Sequence, residues 1–198
     1  MHRRFTRTMD IQTGVVLGDL ERARAAGDWL TRYAGDESFP PRTDDFQADM
    51  RGNAALIARA PNLETVAARS GQMAAACGSC HKALSGGPHF VVGSNPGARG
   101  STANHVIRHL WAVDRMWEGL VGPSEDAWRA GAEAFLLGWD PTGEVVQRSG
   151  SAERARSLLD QVGRLGAEAA GASTQEARAS LLGEILTVCH NCHQAVSH

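Results

Sequence analysis

Apolar residues recur along most of this chain at spacings of three and four, the period of a helix with one buried face. Residues 63–84 show it most plainly, with Leu63, Val66, Ser70, Met73, Cys77, Cys80 and Leu84 on one stripe. Near the other end the stripe is Leu182, Ile185, Cys189, Cys192 and Val196. Shorter stripes run Phe5, Met9, Gln12, Val16 and His109, Val113, Met116, Leu120. The pattern predicts helices over residues 3–17, 19–34, 44–60, 63–84, 102–121, 125–138, 152–170 and 174–196. Start signals support several of them. Pro61-Asn62 opens the fourth, Pro123-Ser124-Glu125-Asp126 opens the sixth, and Ser173 with Glu176 forms a capping box for the eighth.

The stretch 86–100 breaks the pattern with five Gly and two Pro and no helical period. It divides the chain into a first helical domain, residues 1–86, a Gly/Pro-rich linker, residues 87–101, and a second helical domain, residues 102–198. The halves repeat one another. A shift of 112 residues lays Gly71 on Gly183, Cys77 on Cys189, Cys80 on Cys192 and His81 on His193. At the other end a shift of 104 lays Gly18 on Gly122 and Glu21 on Glu125, so the second half carries about eight extra residues, expected in the loop 140–151. The expected fold is all-α, two tandem four-helix bundles.

Composition agrees with helices and removes other classes. The 31 Ala and 16 Leu outweigh 13 Val and 4 Ile, a balance that favours helix over sheet. A net charge of −2 excludes a generic electrostatic nucleic-acid binder. No apolar run reaches the roughly 18 residues of a membrane span. Four Cys in 198 residues are too few for a disulfide-dense scaffold. Met1-His2-Arg3-Arg4 is basic, yet no apolar leader segment follows it.

Two segments carry chemistry: Cys77-Gly78-Ser79-Cys80-His81 and Cys189-His190-Asn191-Cys192-His193. Both read Cys-x-x-Cys-His, the c-type haem attachment pattern. The spacing suits that chemistry. Two thiols add across the haem vinyl groups and hold the porphyrin edge, and the adjacent His81 or His193 reaches the iron as proximal ligand. A zinc ribbon would separate its Cys pairs by roughly 15–20 residues, whereas these lie more than a hundred apart. A thioredoxin-like dithiol would sit in a βαβ unit, which the pattern lacks. The sequence therefore predicts two covalently attached haem c groups.

With a Cys-x-x-Cys-His segment near the end of the last of four helices in each half, the chain resembles the class II cytochromes c, the cytochrome c-prime group, in tandem as a di-haem cytochrome c. The resemblance spans nearly the whole chain, and the two pentapeptides are its specific part. It implies covalent haem, electron transfer or gas binding, and maturation outside the cytoplasm. The expected location is periplasmic or extracytoplasmic, with a leader already cleaved.

In an up-down-up-down bundle the start of the first helix lies beside the end of the fourth, so the sixth iron ligand is expected there. In the second half that end offers His109, preferred because it lies on the inward stripe, and His105 one turn away as the alternative. In the first half Phe5 stands at the position of His109. His2 ranks first there as distal ligand and Met9 second, while Phe5 would leave the iron five-coordinate. Of the remaining His, His89 in the linker is expected in solvent, with a capping role as its alternative, and His190 is expected to point away from the iron. The five Trp are expected in the core and around the haems. The chain shows no Ser-His-Asp order, phosphate loop or paired carboxylates.

The leading expectation is a di-haem electron-transfer protein with redox protein partners, and not an enzyme. A gas-binding or sensor protein, taking NO or CO at the first haem, comes second. A peroxidase-like enzyme comes third, since only Arg3, Arg4 and His2 could serve as acid or base there.

Overall fold

The computed structural model describes residues 2–32, 39–40, 42–96, 102–137 and 152–196. The chain is all-α: the described residues form eight helices and no strand. These are α1 (His2–Leu17), α2 (Leu20–Arg32), α3 (Asp44–Ala58), α4 (Leu63–Ala83), α5 (Thr102–Val121), α6 (Glu125–Ala134), α7 (Ala152–Gly171) and α8 (Gln175–Val196). None is long and apolar enough to cross a membrane. The extra residues expected in the loop 140–151, and Trp139 and His198, lie outside the described residues.

Local chemistry explains most boundaries. Asn62 caps α4, its side chain accepting from the Thr65 amide at 2.9 Å, and Ser124 caps α6 by accepting from the Ala127 amide at 3.2 Å. The start of α8 differs by one residue from the expected capping box. Thr174, not Ser173, accepts from the Ala177 amide at 3.2 Å. At the end of α3 the Arg24 guanidinium donates twice to the Ala60 carbonyl, at 3.0 and 2.7 Å, just before Pro61 forbids continuation. Between α1 and α2 the chain reverses at Gly18 with φ +79°, a left-handed conformation suited to glycine. The sixth helix ends at Ala134, earlier than the pattern suggested. Phe135 caps it in a helical conformation, its amide on the Ala132 carbonyl at 3.2 Å in a tightened last turn, and its ring is buried against Gly166 of α7.

The buried stripe of α1 also differs from expectation. Arg4, Thr8, Ile11, Gln12 and Val15 are buried, and Phe5, Met9 and Val16 only partly so. Gln12 is buried as expected, whereas Arg4 and Thr8 are polar and were hidden from a reading of apolar residues. On α5 the expected stripe holds: Val113, Met116 and Leu120 are buried and His109 is half-buried.

Neighbouring helices pack in chain order within each half, and α1 touches α4 as α5 touches α8. Contacts also cross between halves, with α4 against α8, α1 against α8 and α4 against α5. The largest of these is the antiparallel α4–α8 pair. A Cβ on Gly71 would overlap the Ala179 carbonyl oxygen, and a Cβ on Gly183 would meet Ala68 Cα at 2.9 Å and Ala67 O at 3.1 Å. The same two positions recur on each helix, so the halves meet about a pseudo-two-fold axis. Most of their buried side chains form one contiguous core, from Ile11 of α1 to Val188 of α8, with Ala155 and Leu159 of α7 in a small separate cluster.

Trp128 ties the second half together. It is fully buried, and its Nε1 donates to the Ala169 carbonyl at 2.7 Å, linking α6 to α7. Trp128→Phe leaves that carbonyl without its donor and is expected to cost about 1–3 kcal/mol, read as a lower urea midpoint at unchanged slope.

Candidate cofactor sites

The helix of α4 continues through the first Cys-x-x-Cys-His segment. Cys77 and Cys80 are therefore one turn apart on one face, with His81 next to them. The helix closes with the Leu84 amide on the Cys80 carbonyl at 3.1 Å and the Gly86 amide on the His81 carbonyl at 3.0 Å. The chain then folds back at Gly87, φ +145°, so close that a Cβ there would lie 2.9 Å from His81 Cβ and Cγ.

Cys77, Cys80 and His81 share one wall of a cavity of about 800 Å³. Cofactor sites commonly fall in the range of roughly 300–1,000 Å³. The walls are mainly apolar. Leu30 of α2, Phe46 and Met50 of α3, Phe39, and Pro88 and Phe90 of the linker contribute to them. From α1 the cavity receives Arg4, Phe5 and Thr8, so the start of α1 lies beside the end of α4 in the first half. The Phe5 and Phe90 rings stand 6.0 Å apart, and the Arg4 guanidinium lies 4.4 Å over the Phe39 ring.

His81 is oriented by a backbone group. Its Nδ1 lies 2.7 Å from the Val121 carbonyl oxygen at the end of α5. A carbonyl only accepts, so Nδ1 carries the proton and Nε2 keeps its lone pair. Metal-bound histidines are characteristically held this way.

Burial pushes the Cys77 thiol up to about 11, with Cys80 adding to the rise and the Arg4 charge opposing it. Burial pushes Cys189 up to about 12, and raises Cys80 and Cys192. All four are free thiols. Redox-active dithiols show the opposite shift, toward thiolate, so the thioredoxin-like alternative loses ground. The zinc alternative fails on geometry. Each Cys pair lies about ten residues, roughly 15 Å, beyond the α4–α8 crossing, in opposite directions. Among the described residues no three His, Cys, Asp or Glu gather as a metal site. Two neutral thiols and a lone-pair imidazole nitrogen in an apolar cavity of this size fit a covalently bound haem.

The second segment lies in the last turns of α8, with Cys189 and Cys192 packed on the common core and His193 exposed. His190 packs on α1, where a Cβ on Gly18 would lie 3.7 Å from its Cε1. Burial lowers the His190 pKa and His193 adds to that, while the Val15 backbone opposes both.

The distal candidates divide. His109 is half-buried and edge-on to Phe135, ring centres 5.0 Å apart. The side chains of His2 and His105 lie outside the described residues. Met9 packs on the core and does not line the cavity. His89 is exposed. None of Trp29, Trp111, Trp117 and Trp128 lines this cavity. Trp117 and Trp128 are fully buried in the core instead.

Among the contributors that the sequence did not assign to the site are Met50 and the Val121 carbonyl. Met50 shares an inward stripe with Ala54 and Ile57, a signal that was legible. Arg4, one of the polar candidates at the start of α1, does line the cavity, whereas a backbone carbonyl has no residue signature. Compared with protein-family models, curated proteins and solved structures, the chain matches none.

Proposed function

We propose that this chain is a di-haem c-type cytochrome of two tandem four-helix bundles that transfers electrons between redox protein partners in the periplasm or another extracytoplasmic space. Cys77, Cys80 and His81 would hold one haem c, and Cys189, Cys192 and His193 the other. The observation that carries the reading is the first cavity. Both thiols and His81 share one apolar wall, and the Val121 carbonyl at 2.7 Å commits Nδ1 so that Nε2 is left for iron. Haem supplies a one-electron iron couple when bound. The protein's own part is to anchor the ring by the thiols, fix the imidazole and keep water out with Leu30, Phe46 and Phe90. An absorption spectrum of oxidised and reduced protein tests the reading, because it counts the haems and reports their spin states.

His109 is our choice as sixth ligand of the second haem, with His105 as its alternative. His109→Ala is expected to turn one of the two haems high-spin and able to bind CO, with the other unchanged, and His105→Ala to matter less. CO difference spectra of the two variants check this. If His105→Ala alone gives the conversion, the ligand moves one turn toward the start of α5.

A second reading has its own observation. The α1 wall of the first cavity presents Phe5, with Arg4 and Thr8, where the second half has His109. This supports an open, five-coordinate first iron that takes NO or CO. CO binding by the unaltered protein at half its haem content is the expected result for that reading. Met50 is a sulfur donor in the cavity wall.

A further inference from the structure

The first attachment segment is held largely by parts of the chain that follow it. His81 donates to the Val121 carbonyl at 2.7 Å. Gly78, inside the segment, faces the same turn of α5, where a Cβ would overlap the Leu120 carbonyl oxygen and lie 2.6 Å from Gln175 Nε2. Gln175, at the start of α8, donates to the Leu120 carbonyl at 3.4 Å. One turn of the second half, clamped by α8, therefore meets both the variable glycine and the histidine of the first half's segment. In the other segment it is the variable His190, not His193, that sits against Val15 and Gly18 at the end of α1.

The α5 helix thus meets the first candidate site and carries the proposed distal ligand of the second. Its inward stripe carries His109, and about 18 Å further along a rigid helix Val121 meets His81. The last carbonyls of a helix have no partner within it, so the His81 contact could be no more than a cap on α5. An imidazole that donates from Nδ1 to a carbonyl is also a more basic ligand at Nε2. It favours ferric over ferrous iron, and it does so only while the α5 turn stays in place.

We propose that the last turn of α5 is the positioning element for His81, so that the second half of the chain sets the redox equilibrium of the first haem. This rests on the haem reading above. Val121 acts through His81 and touches no reacting atom, so the decisive readouts are spectroscopic and electrochemical.

The test uses the full haem-loaded chain with Gly78→Ala and, as the milder change, Gln175→Ala. Gly78→Ala forces the Leu120–Val121 turn away from α4, and Gln175→Ala removes its clamp. In both, the iron–histidine stretch of the first haem is expected to fall. One of the two midpoint potentials should rise, by about tenfold in the equilibrium for Gly78→Ala, equivalent to 59 mV for one electron. The shift should be smaller but of the same sign for Gln175→Ala, and the second potential should stay. Gly52→Ala, at a position with open space around it, should move neither. Should Gly78→Ala not fold, Gln175→Ala decides alone. Variants that carry two haems yet keep the parent stretch and potentials would show that His81 merely caps α5, and the proposal fails. A parent chain carrying no haem by mass overturns the haem reading itself, a separate result.

Discussion

Mass spectrometry of the denatured mature protein should find two haem additions, and Cys77→Ser with Cys80→Ser should remove one, halving the haem absorbance per chain. The expectation follows from chemistry local to each segment. Thioethers survive denaturation, whereas an axial bond from His81 or His193 alone does not hold haem in an unfolded chain. All four thiols have raised pKa values and hold their protons, the form that adds across a vinyl group, with sulfur bonding one carbon and the proton going to the other. Without its haem the first half would enclose an apolar cavity of about 800 Å³, and well-packed interiors contain few voids larger than a water molecule. The variant should therefore also lose stability and become sensitive to proteases around the linker. A parent mass without additions, or with zinc in their place, would sink the central assignment.

Gly71→Ala should destabilise the whole protein by about 3 kcal/mol or more, at the upper end of what overpacking costs. The added methyl overlaps the Ala179 carbonyl oxygen, a backbone atom that cannot turn aside. Relief requires moving α4 away from α8, the pair on which both halves meet. Gly183→Ala occupies the symmetric position with looser contacts, 2.9 Å to Ala68 Cα, and should cost less. Gly52→Ala has nothing within 4 Å and sits within α3, so it should gain about 0.5–1 kcal/mol from helix propensity. Urea unfolding followed by tryptophan fluorescence and by far-ultraviolet circular dichroism measures all three. Because one core runs through both halves, the two probes should give one coincident transition. Separate transitions would mean that the halves unfold independently and that the α4–α8 contact is weak.

Much of the fold was legible because its signals are local. Asn62 and Ser124 announce helix starts through their own side chains, and both make the expected caps. Ser173 and Thr174 are chemically alike neighbours, and only the path of the backbone chose Thr174. The stripe on α1 was partly misplaced because Arg4 and Thr8 are polar and yet buried. Gln12 is buried as expected, but its reason, donating to Asp114 of α5 at 3.0 Å, lies across the halves. A partner so distant in sequence leaves no periodic trace. The end of α6 was misjudged for a similar reason, since its last turn tightens at Phe135, whose ring packs beside Gly166 of a helix distant in sequence.

The sequence by itself determined the helices, the internal repeat and the two candidate attachment segments, since each depends on residue types at short, fixed spacing. It also exposed the asymmetry between Phe5 and His109. Only the tertiary structure decided how the repeats meet. It placed Gly71 on Ala179, closed the first cavity with Met50 and the linker, and set the Val121 carbonyl against His81. The physical reason is that these contacts use small residues and backbone atoms from opposite halves. Glycine, alanine and carbonyl groups look alike wherever they occur in a helix, and only packing makes one of them a seam and another a hydrogen-bond acceptor.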